Sequence, residues 1–99
     1  MSDSAFDPTI RRLRREISDI DRAIIDAVNA RIEAVGRLRR HKEAQGIAFV
    51  DPERERQLVD DLARGNRGPL TTEGLHALYG FLLDLTKREV TRKGGGGAE

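Results

Sequence analysis

The sequence predicts an all-α chain of three helices, one long N-terminal helix followed by two shorter ones. Apolar residues recur at helical spacing through the first half of the chain, and turn residues divide the second half into two further helical segments. No segment alternates apolar and polar residues over several positions as a half-buried strand does.

The first helix is predicted from Thr9 to about Ala44, between Pro8 at its start and Gly46 after its end. Its apolar residues recur at alternating steps of three and four, as in the seam of a coiled coil; they are Ile10, Leu13, Ile17, Ile20, Ile24, Ala27, Ala34 and Leu38. Such a helix extends roughly 54 Å, whereas a compact chain of this size has a radius of gyration of about 13 Å. We therefore expect a second copy of the chain to cover the seam.

Arg31 interrupts this seam, because steps of seven from Ile17 lead through Ile24 to Arg31. An internal salt bridge, or a side chain that reaches out to solvent along its stem, would accommodate a lone arginine there. Lys42 lies only about 20° away around the helix, so both cations face the same direction. An anionic ligand is therefore a serious alternative.

Two shorter helices are predicted after a loop from Gln45 to Val50. The sequence Asp51-Pro52-Glu53 is typical of a helix start, and Gly65 is a plausible end. After a turn over Gly65–Pro69, Thr71 or Thr72 can cap a third helix that runs to about Arg92. The apolar side of that helix is predicted to consist of Leu75, Leu78, Tyr79, Leu82, Leu83 and Leu85.

Composition excludes several classes of protein. The net charge of +1 and the four aromatic residues, three Phe and one Tyr, argue against a nucleic-acid-binding protein. The chain has no cysteine and only two scattered histidines, so we expect neither a disulfide nor a metal site. No apolar run is long enough to span a membrane, and we expect a cytoplasmic location. Residues 1–8 are predicted to be a disordered leader, 9–93 the helical domain, and 94–99 a flexible glycine-rich tail.

Arg54 and Glu55 lie in the first turn of the second helix, where the helix dipole favours anions. Together they can bind a carboxylate and a hydroxyl group. Charged residues that simply decorate a helix end are the alternative for such a pair taken alone.

The spacing of these charged residues resembles that of the all-helical chorismate mutases, the AroQ type. The matching positions are Leu13-Arg14-Arg15-Glu16-Ile17 with Asp21, then Arg31, Lys42 and Asp51-Pro52-Glu53-Arg54-Glu55-Arg56, with no gap from Arg14 to Arg56. The resemblance implies an interlocked homodimer that rearranges chorismate to prephenate in phenylalanine and tyrosine biosynthesis. That pericyclic reaction needs a bound reactive conformer and cations directed at the ether oxygen, with no nucleophile or cofactor.

The resemblance also implies roles for individual residues. Arg14, Arg31 and Arg54 would bind or orient carboxylates, Lys42 would contact the ether oxygen, and Asp51 and Glu55 would lie near the ring hydroxyl. Arg14 and Arg31 are separated by roughly 25 Å along one helix. If both serve one site, Arg14 must come from the partner subunit.

The third helix departs from the family pattern, and its register is open. Thr86 matches a small hydroxyl position after a one-residue deletion in the preceding turn. Val90 then falls where the family usually has Gln or Glu, although a shift by one residue would place Glu89 or Thr91 there. A valine would leave the ether oxygen without that donor.

Three alternative functions remain open from the sequence, and one partner is implied. The chain can act as a 4-amino-4-deoxychorismate mutase, as an isochorismate pyruvate-lyase, or as a non-catalytic helical dimerisation module. Some members of the resembled family associate with 3-deoxy-arabino-heptulosonate 7-phosphate synthase, which opens the shikimate pathway. That enzyme is therefore the candidate activating partner.

Overall fold

The computed structural model of this chain describes residues 6–96, with side chains as far as residue 92. It contains α1 (Pro8–Gln45), α2 (Pro52–Gly65) and α3 (Thr72–Gly96), and these described residues include no strand. The predicted all-α, three-helix chain is therefore confirmed. The boundary between two compact units falls between Arg31 and Ile32, inside α1.

In the first unit, Asp7 begins α1. Its Oδ1 accepts hydrogen bonds from the backbone N of Thr9 at 2.8 Å and of Ile10 at 3.2 Å. Asp7 is thus the N-cap before Pro8, and the helix starts one residue earlier than predicted. Of the leader predicted to be disordered, residues 1–5 lie outside the described residues.

The apolar seam of α1 is exposed to solvent in the single chain. Ile17, Ile20 and Ile24 are 56%, 59% and 53% exposed, and none of the residues described in α1 is buried. Isolated apolar side chains on a surface are common, whereas these three recur at helical spacing along one side of α1. The seam predicted from the sequence is present and uncovered.

In the second unit, Gly46 ends α1 with backbone hydrogen bonds that reverse the chain direction. The N–H of Ile47 donates to the carbonyl of Lys42 at 2.8 Å, and the N–H of Gly46 donates to that of Glu43 at 3.2 Å. Gly46 has a φ of 72°, the left-handed conformation that glycine adopts without steric cost. These are the two bonds of a Schellman motif, so the predicted helix end is confirmed.

Two side-chain caps begin α2 and α3. Asp51 Oδ1 accepts from the backbone N of Arg54 at 3.1 Å, and Thr71 Oγ1 accepts from that of Gly74 at 2.9 Å. Each satisfies a backbone N–H that has no partner within its own helix. Of the two threonines proposed as cap, the structure uses Thr71.

The packing of α2 against α3 forms the core of the second unit. Leu75, Thr86 and Val90 of α3 are buried, at 5%, 2% and 4% exposure. Leu78, which the sequence predicted to be buried, is 51% exposed. The prediction that Leu78 is buried is therefore wrong for the single chain.

The end of α3 lies beyond the predicted one. The helix continues from Arg92 to Gly96, through the first three residues of the predicted glycine-rich tail. Residues 97–99 lie outside the described residues, and the flexibility of the tail stays a prediction.

Candidate active site

Lys42 lies in the last turn of α1 and contacts the loop that follows. Its Nζ donates to the backbone O of Phe49 at 3.2 Å, and its side chain is partly exposed. The guanidinium of Arg39 lies over the Phe49 ring, 5.9 Å from its centroid, a cation–π geometry. Two cations of α1 therefore contact Phe49 of the loop.

Asp51 is the N-cap of α2, and Arg54 and Glu55 lie in its first turn. The Asp51 carboxylate caps the helix through the backbone N of Arg54, so one of its oxygens already has a structural task. The Arg54 side chain is exposed, and that of Glu55 is partly buried. A helix N-terminus presents partial positive charge, which adds to the Arg54 guanidinium in attracting an anion.

Glu55 forms an ion pair with a residue that the sequence did not single out. Lys87 Nζ of α3 lies 3.1 Å from Glu55 Oε2 and 3.3 Å from Oε1, and the two side chains are 28% and 29% exposed. Lys87 also lies 3.8 Å from Asp84 Oδ1, one turn earlier on α3. The sequence offered one signal for Lys87, its position directly after the predicted site residue Thr86. Nothing in the sequence showed that α2 packs against this part of α3.

Thr86 and Val90 lie one turn apart on the buried side of α3. Thr86 Oγ1 donates to the carbonyl of Leu82 at 2.8 Å. Of the two alternatives to Val90, Glu89 is partly exposed and pairs with the guanidinium of Arg92, and Thr91 is exposed. Among these three residues, Val90 is the one that is buried together with Thr86.

The two arginines predicted for carboxylate binding in α1 lie in the first unit. Arg14 is exposed, and Arg31 is partly exposed. The second unit contains the other six predicted site residues. Within it, the Glu55–Lys87 ion pair connects the first turn of α2 to α3 at the residue after Thr86.

A separate cleft of about 370 Å³ lies between α2 and α3, near the turn that joins them. Its apolar lining includes Leu62, Leu70, Leu75, Leu78 and Tyr79. None of the predicted site residues lines it, and its described lining offers no cation for an anionic ligand. We assign it to packing.

The chemistry available at the candidate site is electrostatic. Ammonium and guanidinium groups can bind carboxylates and stabilise negative charge that develops in a transition state, and a carboxylate can accept a hydrogen bond from a hydroxyl. Among the described residues, no three His, Asp or Glu side chains are arranged to hold a metal ion.

Comparisons with known proteins indicate the family of this chain. Residues 13–90 match the family model described as chorismate mutase type II. The structure resembles chorismate mutase (form I) from Thermus thermophilus, with a TM-score of 0.77 and 26% identity over 79% of this chain and 98% of that one. For form II from the same organism the TM-score is 0.81, with 25% identity over 86% of this chain and 97% of that one.

A search of curated proteins gave no match. The family match nevertheless covers all three helices, from the first turns of α1 to Val90 of α3. The solved structures are matched over nearly their whole length. This chain is an all-helical isomerase of the type II chorismate mutase family.

Proposed function

We propose that this enzyme rearranges chorismate to prephenate at a site formed by Lys42, Arg31, Arg54 and Glu55, with Arg14, Asp51, Thr86 and Val90 binding the substrate. The observation that carries the proposal is the ion pair between Glu55 and Lys87, 32 positions apart in the sequence. It holds the first turn of α2 beside the part of α3 that carries Thr86. The pair supports the proposal because it joins Glu55 directly to the residue that follows Thr86 in the sequence.

The proposed mechanism relies on charge and conformation. Breaking the C–O bond gathers negative charge on the ether oxygen, and an ammonium directed at that oxygen stabilises the transition state more than the ground state. Lys42 is suited to this role, because its hydrogen bond to the neutral carbonyl of Phe49 orients the ammonium without cancelling its charge. The arginines would hold the two carboxylates so that the reacting carbons approach each other.

We also propose that the active form is a homodimer in which each site takes Arg14 from the partner subunit. The exposed row of Ile17, Ile20 and Ile24 supports this, because a second chain would remove that row from water. Burying apolar surface stabilises an assembly by about 25 cal/mol per Å². The separation of Arg14 and Arg31 along α1 supports the exchange of Arg14 between subunits.

A partner that raises the activity belongs to the same proposal. Val90 cannot donate a hydrogen bond, so a site with Val90 at the ether-oxygen position depends on Lys42 alone. We expect slow turnover in isolation and faster turnover when a partner reorders the end of α3. The candidate partner is 3-deoxy-arabino-heptulosonate 7-phosphate synthase. The cytoplasmic location expected from the sequence stays a prediction.

The test of the proposed function is to incubate the purified chain with chorismate and identify the product. Formation of prephenate, with no release of pyruvate, is expected. A parallel incubation with isochorismate tests the lyase alternative. Release of pyruvate there, without formation of prephenate from chorismate, would indicate a lyase. The absence of turnover, with and without the synthase, would contradict the proposal.

A further inference from the structure

The Glu55–Lys87 ion pair can distinguish two substrates between which the proposed site residues do not select. Chorismate carries a neutral hydroxyl on the ring carbon at which Glu55 is proposed to act, and 4-amino-4-deoxychorismate carries an amine there. That amine is an ammonium at neutral pH, as primary amines are. Glu55 alone can accept from either group, so its presence does not select between the two substrates.

Lys87 compensates the negative charge of the Glu55 carboxylate. Its Nζ lies 3.1 Å and 3.3 Å from the two carboxylate oxygens of Glu55, so the ammonium is shared between them. The pair is less than one third exposed, which limits screening by solvent. The charge of Glu55 is therefore already compensated before a substrate binds.

A hydroxyl can still bind to such a compensated carboxylate, because each oxygen has more than one lone pair. A substrate ammonium at the same place would put a second cation within a few ångströms of Lys87. Like charges at that distance repel each other, and the repulsion is stronger in a partly buried site than in water. The ion pair thus penalises the amino substrate and leaves the hydroxyl substrate nearly unaffected.

We propose that Lys87 is a specificity-determining residue that makes this mutase select the 4-hydroxyl substrate over the 4-amino substrate. The proposal rests on the proposed function, since it places Glu55 at the ring substituent. Lys87 acts by repelling a substrate ammonium and by compensating the charge of Glu55, and it takes no part in the chemical step. A repulsive element of this kind discriminates against the wrong ligand without adding a contact to the correct one.

A purely structural ion pair is the competing explanation, because Lys87 also joins α3 to α2. The two roles differ in a measurable way. Loss of a structural tie would lower the activity toward both substrates by the same factor. Loss of a specificity determinant changes the ratio of the two kcat/KM values, and that ratio does not depend on how much of the sample is folded.

The experiment measures kcat/KM for chorismate and for 4-amino-4-deoxychorismate on the same protein samples, with product identification. Lys87→Met removes the ammonium and keeps most of the aliphatic stem, and Lys87→Arg keeps the charge. The matched control is Arg64→Met, which removes one cation from an exposed pair with Asp61 at the far end of α2. All variants are assayed as full chains.

We expect Lys87→Met to raise the ratio of kcat/KM for the amino substrate to kcat/KM for the hydroxyl substrate by about tenfold. In Lys87→Arg and Arg64→Met this ratio should stay close to that of the wild type. An unchanged ratio in Lys87→Met, while the wild type converts chorismate, would overturn the role of Lys87 and leave the proposed function standing. A wild type that prefers the amino substrate would also overturn it. A wild type that converts neither substrate, with or without the synthase, would overturn both proposals. If the turnover of Lys87→Met is too slow to measure, we expect the same shift in the ratio of the dissociation constants of the two substrates. An unchanged ratio of dissociation constants would likewise overturn the role of Lys87.

Discussion

The Nζ of Lys42 donates to the backbone O of Phe49 at 3.2 Å, across the turn that ends α1. The carbonyl of Lys42 accepts from Ile47 in the same turn, so both ends of the residue help to close it. Lys42 is therefore positioned by the fold of the loop. Its ammonium is oriented before any substrate is present, and such preorganisation is what electrostatic catalysis requires.

The first prediction concerns the two cations of α1 proposed to act in catalysis. Arg31→Ala and Lys42→Ala should each lower kcat by about 10²–10³, because each removes a charge proposed to contact the substrate. Circular dichroism should remain that of a helical protein. Arg22→Ala is the control, since Arg22 is an exposed arginine of α1 paired with Asp19. Near-normal kinetics in both variants would remove these residues from the proposed site.

The second prediction concerns the sharing of sites between subunits. Arg14→Ala and Arg31→Ala chains, each inactive alone, should recover activity when mixed, because one site of a mixed dimer would carry both lesions and the other none. Subunit exchange is verified by mass spectrometry of differently labelled chains. A monomer in sedimentation, or no recovery after verified exchange, would contradict the shared site.

A third prediction concerns Val90, which is 4% exposed and on the same face as Thr86. Val90→Gln should raise kcat/KM, because the amide can donate to the ether oxygen, a contribution of up to a few kcal/mol in the transition state. The gain is measured without and with the candidate synthase. If Val90→Gln is no faster while Glu89→Ala or Thr91→Ala is severely impaired, the register of α3 is wrong by one residue.

The fourth prediction compares two glycines at helix ends. Gly46→Ala should destabilise the fold by about 1 kcal/mol, because the alanine Cβ is strained at the φ of 72°. Gly65→Ala should be neutral or slightly stabilising, since Gly65 has no positive φ and its Cβ would meet open space. Urea unfolding of both variants tests this. Equal effects would show that backbone conformation does not distinguish the two positions.

Helix boundaries were accessible to sequence reasoning because they depend on local chemistry. Asp51 and Gly46 act through backbone groups within a few positions of themselves, so their identity was enough to predict the cap and the helix end. Asp7 shows the limit of this approach. Its capping bonds are equally local, but the sequence analysis predicts a leader at this position.

The candidate site was predicted in part. The charged pattern from Arg14 to Glu55 led to the family, and the comparisons confirmed that family over residues 13–90. The roles of the individual residues stay predictions. Lys87 was missed, because its importance comes from a contact with Glu55 on another helix, and no periodicity in either segment encodes that contact.

The sequence by itself determined which segments are helical, several of the caps that bound them, and that the long helix carries an apolar row. These properties follow from side-chain spacing and capping, which act over one or two helical turns. The tertiary structure decided which face of α3 is buried and which lysine neutralises Glu55. Both depend on how α2 packs against α3, and that packing is set by the fit of side chains distant in the sequence, which no local pattern records.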